Sequence, residues 1–567
     1  MATSDNVLAD LFEASQNNAI TIMVNEFYTF LGDKYIEYIN QSEKYQVKQK
    51  QTDANGQETE TIHDQTFIEY FLFKLYFDYG VKRKMINDNI ALLFYVKSLK
   101  GYKSTSNITM LCRHLMIDLR YMRIISLGIP KAMKLDDFVA KYKINQEDAA
   151  SNCYVTEDGQ GKVNGKISKF RIYRFPEGTM ITYNPSLKKY NINAAELNVD
   201  NTEDHDDVED TKEKVDENIT EQIQTNISQQ FEKLDKNFEY STRKVVGTGR
   251  FSSIKTFMEM FNENNAIANT KLENIPEGLV KDRVLVFNIE HPENRIISNQ
   301  LRNFNTLCAV YTFKSEDVCK SEYESILTME NPTENIETIR AAFGKLSTGM
   351  VTQMHVTEYK KLLQDTNVTV NLHLPEIVRS FERKNETGET EMITIESVSM
   401  NQLQNIVENR PKTFQGYIIY GVGGERTKIM NTKYKEMKQL KGNKPIVIEQ
   451  WNTKNLFYLY WRLVKQQTLQ QFIQEFDMTG GWSYNQLFYW FATMARNYSM
   501  HLFKVYHHSF VKKDLAKPDI PYSMKPFCGE LHKMYMANKC PISQTMVEQF
   551  IWQQPAGKIF WRIFSSK

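Results

Sequence analysis

The chain lacks a net charge. Its 567 residues carry 70 lysines and arginines against 69 aspartates and glutamates, +1 overall, so no bulk positive field advertises nucleic acid, and any such site has to be a local patch. Paired cysteines are also missing. Cys112, Cys153, Cys308, Cys319, Cys528 and Cys540 are scattered, with no Cys-x-x-Cys pair and no cysteine–histidine cluster at zinc spacing; that excludes the common structural zinc sites and fits reduced thiols in a cytosolic compartment. No apolar run approaches the length that crosses a bilayer, and the N-terminal MATSDNVLADLF has no basic start followed by an apolar stretch. Neither membrane insertion nor export is therefore expected. No internal repeat is found. What the chain does have is 41% hydrophobic residues, over a length that accommodates about three to four domains with real cores.

Helical periodicity runs through the first 48 residues (Val7, Leu8, Leu11, Phe12, then Ile22, Val24, Phe27, Phe30, Leu31), and the polar stretch Gln49 to Glu60 reads as a loop. Leu111 to Phe138 reads as two short strands and a turn, punctuated by Gly128 and Pro130. Phe170 to Tyr183 alternates as a hairpin strand, closed by Asn184-Pro185-Ser186. The stretch from Glu196 is strongly acidic and nearly free of large apolar residues, which predicts a solvated insertion over 196–236. Beyond it, Phe238 to Phe261 reads as strand, glycine turn and helix; Val284 to His291 and Leu307 to Phe313 as buried strands; and Phe414 to Met430 as a hairpin turning at Gly421 to Gly424. From Lys454 the pattern is helical, with a long helix over Tyr484 to Phe510 and a last one opened by a capping box, Thr545-x-x-Glu548. The fold class is α+β. Domain boundaries are placed at 1–100 (a mostly helical N-terminal region), 101–450 (an antiparallel-sheet core) and 451–567 (an all-helical C-terminal domain).

Five segments carry the chemical signal. They are LCRHLMID (Leu111 to Asp118) with PKAMKLDDF after it, FRIYRFPEGTMITY (170–183), VFNIEHPENRIIS (Val286 to Ser298), FQGYIIY (from Phe414) and TKIMNTKY (Thr427 to Tyr434). In this order they resemble the motifs of bacteriophage-type ATP-dependent RNA ligases, of the covalent nucleotidyltransferase superfamily, and in particular the ligase-like proteins of large DNA viruses. The resemblance implies a nucleotidyltransferase (ligase adenylation-domain-like) core. It also implies that Arg113, Lys131, Glu177, Arg295 and Lys428 stand at nucleotide- or phosphate-binding positions.

Four positions depart from the family pattern. The first motif reads Lys-x-Asp/Glu-Gly in active ligases; here Glu177 and Gly178 remain, but Phe175 replaces the lysine, and an aromatic ring cannot attack the α-phosphate of ATP. Asn288 stands for the third-motif glutamate, Gln415 for the fourth-motif glutamate, which weakens any magnesium site, and Met430 for the second lysine of the fifth motif. Arg174 points to the opposite face of its strand, and Lys169 is six residues away, about 20 Å along a strand, so neither replaces the missing amine. The expectation is a catalytically inactive pseudoenzyme with no catalytic residues, no metal and no cofactor, binding RNA, a nucleotide or a protein partner in the cytoplasm of a host cell or packaged in a virion. Two alternatives stay open: an active RNA ligase using ATP and magnesium, and a structural or virion-assembly protein that reuses the scaffold.

Overall fold

A computed structural model describes residues 2–41, 46–52, 58–95, 106–157, 163–175, 177–190, 239–242, 255–294, 297, 302–368, 370–384, 390–394, 397–442, 453–476 and 483–564. The acidic insertion 196–236, the glycine turn Gly247 to Gly249 and Arg295 lie outside these residues. By its internal contacts the chain divides after Tyr434 into two units.

The first unit begins with α1 (Ala2–Ile39). Its buried positions Ala19, Ile20, Met23, Val24, Phe27 and Leu31 recur every three to four residues, which puts them on one stripe. β1 (Gln46–Thr52) and β2 (Glu58–Asp64) pair antiparallel where the polar sequence predicts a loop. Seven backbone pairs in register outweigh the missing apolar alternation there. α2 (Phe67–Tyr79) starts at a reciprocal Thr66/Glu69 capping box and stops at Gly80, whose φ of 66° suits a residue without Cβ.

β3 (Val81–Asn87), β4 (Ile90–Tyr95), β5 (Leu115–Asp118) and β6 (Arg123–Leu127) make a four-stranded antiparallel sheet in sequential order, with α3 (Asn107–Leu111) inserted before β5. The two strands expected within Leu111 to Phe138 are β5 and β6. After α4 (Leu135–Lys141) come the hairpin β7 (Cys153–Glu157) and β8 (Val163–Ser168), then β9 (Phe170–Arg174) and β10 (Thr179–Tyr183).

β9 and β10 do not form the expected hairpin. β10 belongs to a five-stranded sheet with β11 (Tyr240–Ser241), β12 (Arg283–Glu290), β13 (Phe304–Phe313) and β14 (Val351–Met354), in the order β11-β10-β12-β13-β14. β9 belongs to another sheet, ordered β15-β9-β18-β19, with β15 (Ile377–Val378), β18 (Gly416–Gly421) and β19 (Arg426–Met430). Residues 175–178 therefore carry the chain from one sheet to the other. Alternation tells which residues share a face but not which strand is the neighbour.

The remaining elements cover these sheets: α5 (Phe257–Ala268), α6 (Glu277–Val280), α7 (Glu316–Leu327), α8 (Ile336–Ser347), α9 (Val356–Asp365), the hairpin β16 (Ser380–Lys384) and β17 (Thr390–Thr394), and α10 (Met400–Glu408). The first hundred residues do not keep a core to themselves. Phe27, Leu31 and Tyr35 of α1 bury in one cluster with Val284 and Tyr311 of the central sheet and with Phe343 of α8. The Tyr28 hydroxyl donates to the carbonyl of Met122, a buried residue held at φ 48° in the β5–β6 turn.

α11 (Thr432–Lys441) contains the division between the units. The second unit is helical throughout its described residues: α12 (Thr453–Lys465), α13 (Leu469–Phe476), α14 (Tyr484–Tyr506) running into a π-helical turn His507–Lys512, α15 (Lys525–Asn538), α16 (Gln544–Gln553) and α17 (Ala556–Phe564). Its centre is aromatic, with Trp461 stacked on Trp552 at 4.4 Å between ring centroids and Phe457 edge-on to Phe491 at 5.2 Å. Ser543, not Thr545, caps α16 by accepting from the Met546 amide, and α17 follows it as the last helix.

At the α1–α2 contact, Glu37 accepts from Lys34 at 2.7 Å and pairs with Lys74 at 2.8 Å. Burial pulls its carboxyl upward, but hydrogen bonds from the two ammonium groups outweigh that and bring it from 4.5 to about 2. The stabilisation is thus complete above pH 4.5 and lost as pH falls through 2. Because the Glu37 side chain is 41% exposed, screening holds the contribution to about 1 kcal/mol. Glu37→Gln is expected to lower unfolding stability by that amount at pH 7 and to coincide with the unsubstituted protein at pH 2, in urea melts across that range.

Candidate functional site

The first-motif segment lies where two sheets meet, and each sheet supplies one side. On the β9–β18–β19 sheet the register sets three rows on one face. Phe175, whose amide donates to the Gly416 carbonyl at 3.0 Å, continues the Gly416–Met430 row; Tyr173, Ile418 and Lys428 form the next; Arg171, Tyr420 and Arg426 the third. The opposite face is apolar, with Phe170, Ile172 and Ile419 in a core beside Phe138 of α4. Phe175 and Met430 therefore stand in one row. Gly416 is held at φ 138°, and a Cβ there would fall 2.0 Å from the Ile429 carbonyl oxygen, so this row is backbone-tight.

Lys428 reaches along this face and places its ammonium 4.3 Å from the centroid of the Phe175 ring. That is a cation–π contact, worth about 0.5–1 kcal/mol at a half-exposed site. The ring thus offers the cation a neutral partner.

Glu177, assigned to nucleotide binding by the resemblance, is only 4% exposed. Both its carboxylate oxygens accept from the Ile297 amide at 2.9 Å, and one accepts from the Tyr434 hydroxyl at 2.9 Å. Burial and then the Glu177 charge push the Tyr434 phenol well above its ordinary value, so it remains a donor. Next to it, Gly178 lies against β12: an added Cβ would sit 2.5 Å from the Asn288 amide nitrogen and from the Ile289 carbonyl. The segment between the sheets is pinned on both sides.

Arg113 is half-buried after α3, close to Tyr420, whose phenol is raised by burial against the pull of Arg426 and, more weakly, Arg113. Lys131 lies over the Tyr95 ring at 5.2 Å. Arg426 donates from Nε and Nη2 to the Pro130 carbonyl at 3.0 and 2.6 Å. Lys131, Cys308, Tyr311, Gln353, Tyr420 and Arg426 line a cavity of about 30 Å³, with Ile20 and Met23 of α1 on another wall. That volume holds about one or two waters. The Ala19 amide donates to the Gly423 carbonyl at 3.1 Å and holds α1 against the β18–β19 turn.

Gln415 is buried and Asn288 half-buried. The Gln415 Oε1 and Asn288 Nδ2 atoms have no hydrogen-bond partner among the described residues. Glu290 is the carboxylate missed from sequence: two residues beyond Asn288 on one strand, it shares that face by the period of two. Burial raises its carboxyl, with Arg174 and Arg302 opposing. His355, which caps α9, is driven down to about 4 by burial and by Arg171. Among the described residues, no three histidine, cysteine, aspartate or glutamate side chains gather as a metal site. Glu293 makes an ion pair with Lys255 at 3.0 Å and braces its turn.

Replacing Glu177 strands the Ile297 amide and the Tyr434 hydroxyl in the interior. Glu177→Ala is expected to destabilise the protein by about 2–4 kcal/mol, read as a lowered urea midpoint, with Glu177→Gln intermediate because its carbonyl still accepts.

A scan against protein-family models gives no match for this chain, and a search of curated proteins finds none that matches.

Proposed function

We propose that the chain is a catalytically inactive RNA-ligase-like protein, a pseudoenzyme that meets RNA phosphates at the mouth of its two-sheet cleft without forming an adenylate. The observation that carries this reading is the Phe175 ring packed beneath the Lys428 ammonium. A nucleophile must present a lone pair to phosphorus, and the side chain in the nucleophile's row has none. Two further features support it. Glu177 is engaged by Ile297 and Tyr434. Neutral amides stand at 288 and 415, where carboxylates would hold magnesium. The retained cations Arg113, Lys131 and Lys428 keep the mouth attractive to phosphate. A viral origin and a place in host cytoplasm or virion are carried only by the motif resemblance.

Incubation with radiolabelled ATP and magnesium, followed by denaturing electrophoresis, is expected to leave the protein unlabelled. Phe175→Lys alone is expected to remain unlabelled too, because the acidic groups at 288 and 415 are not restored. A labelled band that disappears on substitution of one lysine would sink the proposal. For RNA contact at the cleft, Lys428→Ala is expected to weaken binding a few-fold and to lower the slope of log affinity against log salt by about 0.7, the value of one phosphate on a single strand.

A further inference from the structure

The overall charge of +1 conceals a strong asymmetry. From Lys435 to the end, 18 lysines and arginines face 8 aspartates and glutamates, a net charge of +10 on the helical second unit. The excess is densest between Lys504 and Lys539, where Lys504, Lys512, Lys513, Lys517, Lys525, Lys533 and Lys539 are all exposed. Of the three acidic residues in that span, Asp514 pairs with His508 at 2.9 Å and Glu530 with Lys558 at 3.1 Å. The remaining one is Asp519.

Aromatic rings run through the same region. Tyr506 stacks on Phe510 at 5.3 Å, Phe510 meets the His532 ring at 4.5 Å, and His532 stacks on Tyr535 at 5.9 Å. The row thus leads from a buried tyrosine on α14 to an exposed one on α15. Lys517 lies over the Phe510 ring at 5.6 Å. On the connection between α14 and α15, Tyr522 is 94% exposed. The π-helical turn His507–Lys512 displaces the end of α14 from regular helical spacing, and it carries Phe510 into the row with Lys512 and Lys513 at its exit.

We propose that this face of the second unit, built by the π-helical turn, the α14–α15 connection and α15, is a binding site for single-stranded nucleic acid. Lysines neutralise the phosphates, while Tyr522 and Tyr535 stack on unpaired bases. Charge complementarity names a polyanion. Rings set among the lysines favour strands with free base faces over a duplex, whose bases are stacked on each other. A bilayer surface would call for a continuous apolar face, whereas Val511, Tyr522, Tyr535 and Met536 are interspersed with cations. The inference uses no part of the cleft between the sheets and does not rest on the ligase-like reading.

The test uses the full chain and a fluorescently labelled 20-nucleotide oligouridylate, followed by anisotropy between 50 and 200 mM salt. Binding that weakens steeply with salt is expected. The triple variant Lys512→Glu, Lys513→Glu, Lys517→Glu is expected to weaken it at least tenfold and to lower the salt slope by about 2, at ~0.7 per phosphate. Tyr522→Ala with Tyr535→Ala is expected to weaken binding about tenfold with the salt slope unchanged. All five positions are exposed, and circular dichroism checks that each variant is folded. The site is overturned by absence of binding at 50 mM salt, by equal affinity for a duplex, or by an unchanged affinity in both variants. Loss of binding in Lys428→Ala alone would locate RNA in the cleft and likewise overturn this site, while leaving the cleft reading standing. Capture by phosphatidylserine vesicles without oligouridylate binding would reassign the face to membrane.

Discussion

The buried carboxylate of Glu177 is the constraint on which the two-sheet arrangement turns. The backbone leaves β9 at Arg174 and enters β10 at Thr179, so only a few residues bridge two separate sheets. Buried backbone donors must find partners. Glu177, within the crossing, supplies one for the Ile297 amide beyond β12 and joins it to Tyr434 near the start of α11. Gly178 then lets the chain lie directly against β12. An acidic residue and a glycine in sequence are thus accounted for by packing alone.

The same economy holds for the cations around the cleft. Arg426 is turned onto the Pro130 carbonyl, Lys131 onto the Tyr95 ring and Lys428 onto the Phe175 ring. In each of these contacts a positive group meets a neutral dipole or a quadrupole. Charge is distributed very unevenly along the chain. Glu196 to Asn218 alone holds 11 acidic residues against two lysines, and the second unit carries the opposing surplus.

How much could be read from residues follows from which forces are local. Helical spacing placed α14 well, because it buries a stripe that repeats with the helical period. The turn of the β18–β19 hairpin was equally plain from its glycines. Strand partnership was not, since Phe170 to Tyr183 alternates the same way whether its halves pair together or join different sheets. The β1–β2 hairpin escaped notice because backbone pairing needs no apolar signature. At the site, the row shared by Phe175 and Met430 follows the spacing of the motifs. The engagement of Glu177 by Tyr434, 257 residues away, has no sequence signal. Glu290 could have been found by strand parity from Asn288. The basic second unit could have been found by counting charge per segment instead of over the whole chain.

The placement of α1 bears on how the protein comes to exist. Its contacts reach far along the chain: Asn25 accepts from the Ser347 hydroxyl across 322 positions, and Asp33 pairs with Arg340 across 307. A helix whose partners are so distant closes very long loops before those contacts repay the lost entropy, which slows assembly. On the ribosome, the apolar stripe of α1 waits for α8 and β14 to emerge. At about 5–20 residues per second that interval is tens of seconds: Phe71 and Phe67 of α2 reach Phe27 and Tyr35 early, whereas Phe343 of α8, which also packs on Tyr35, comes last. Completion of this core during synthesis therefore waits until the chain beyond residue 350 has left the exit tunnel.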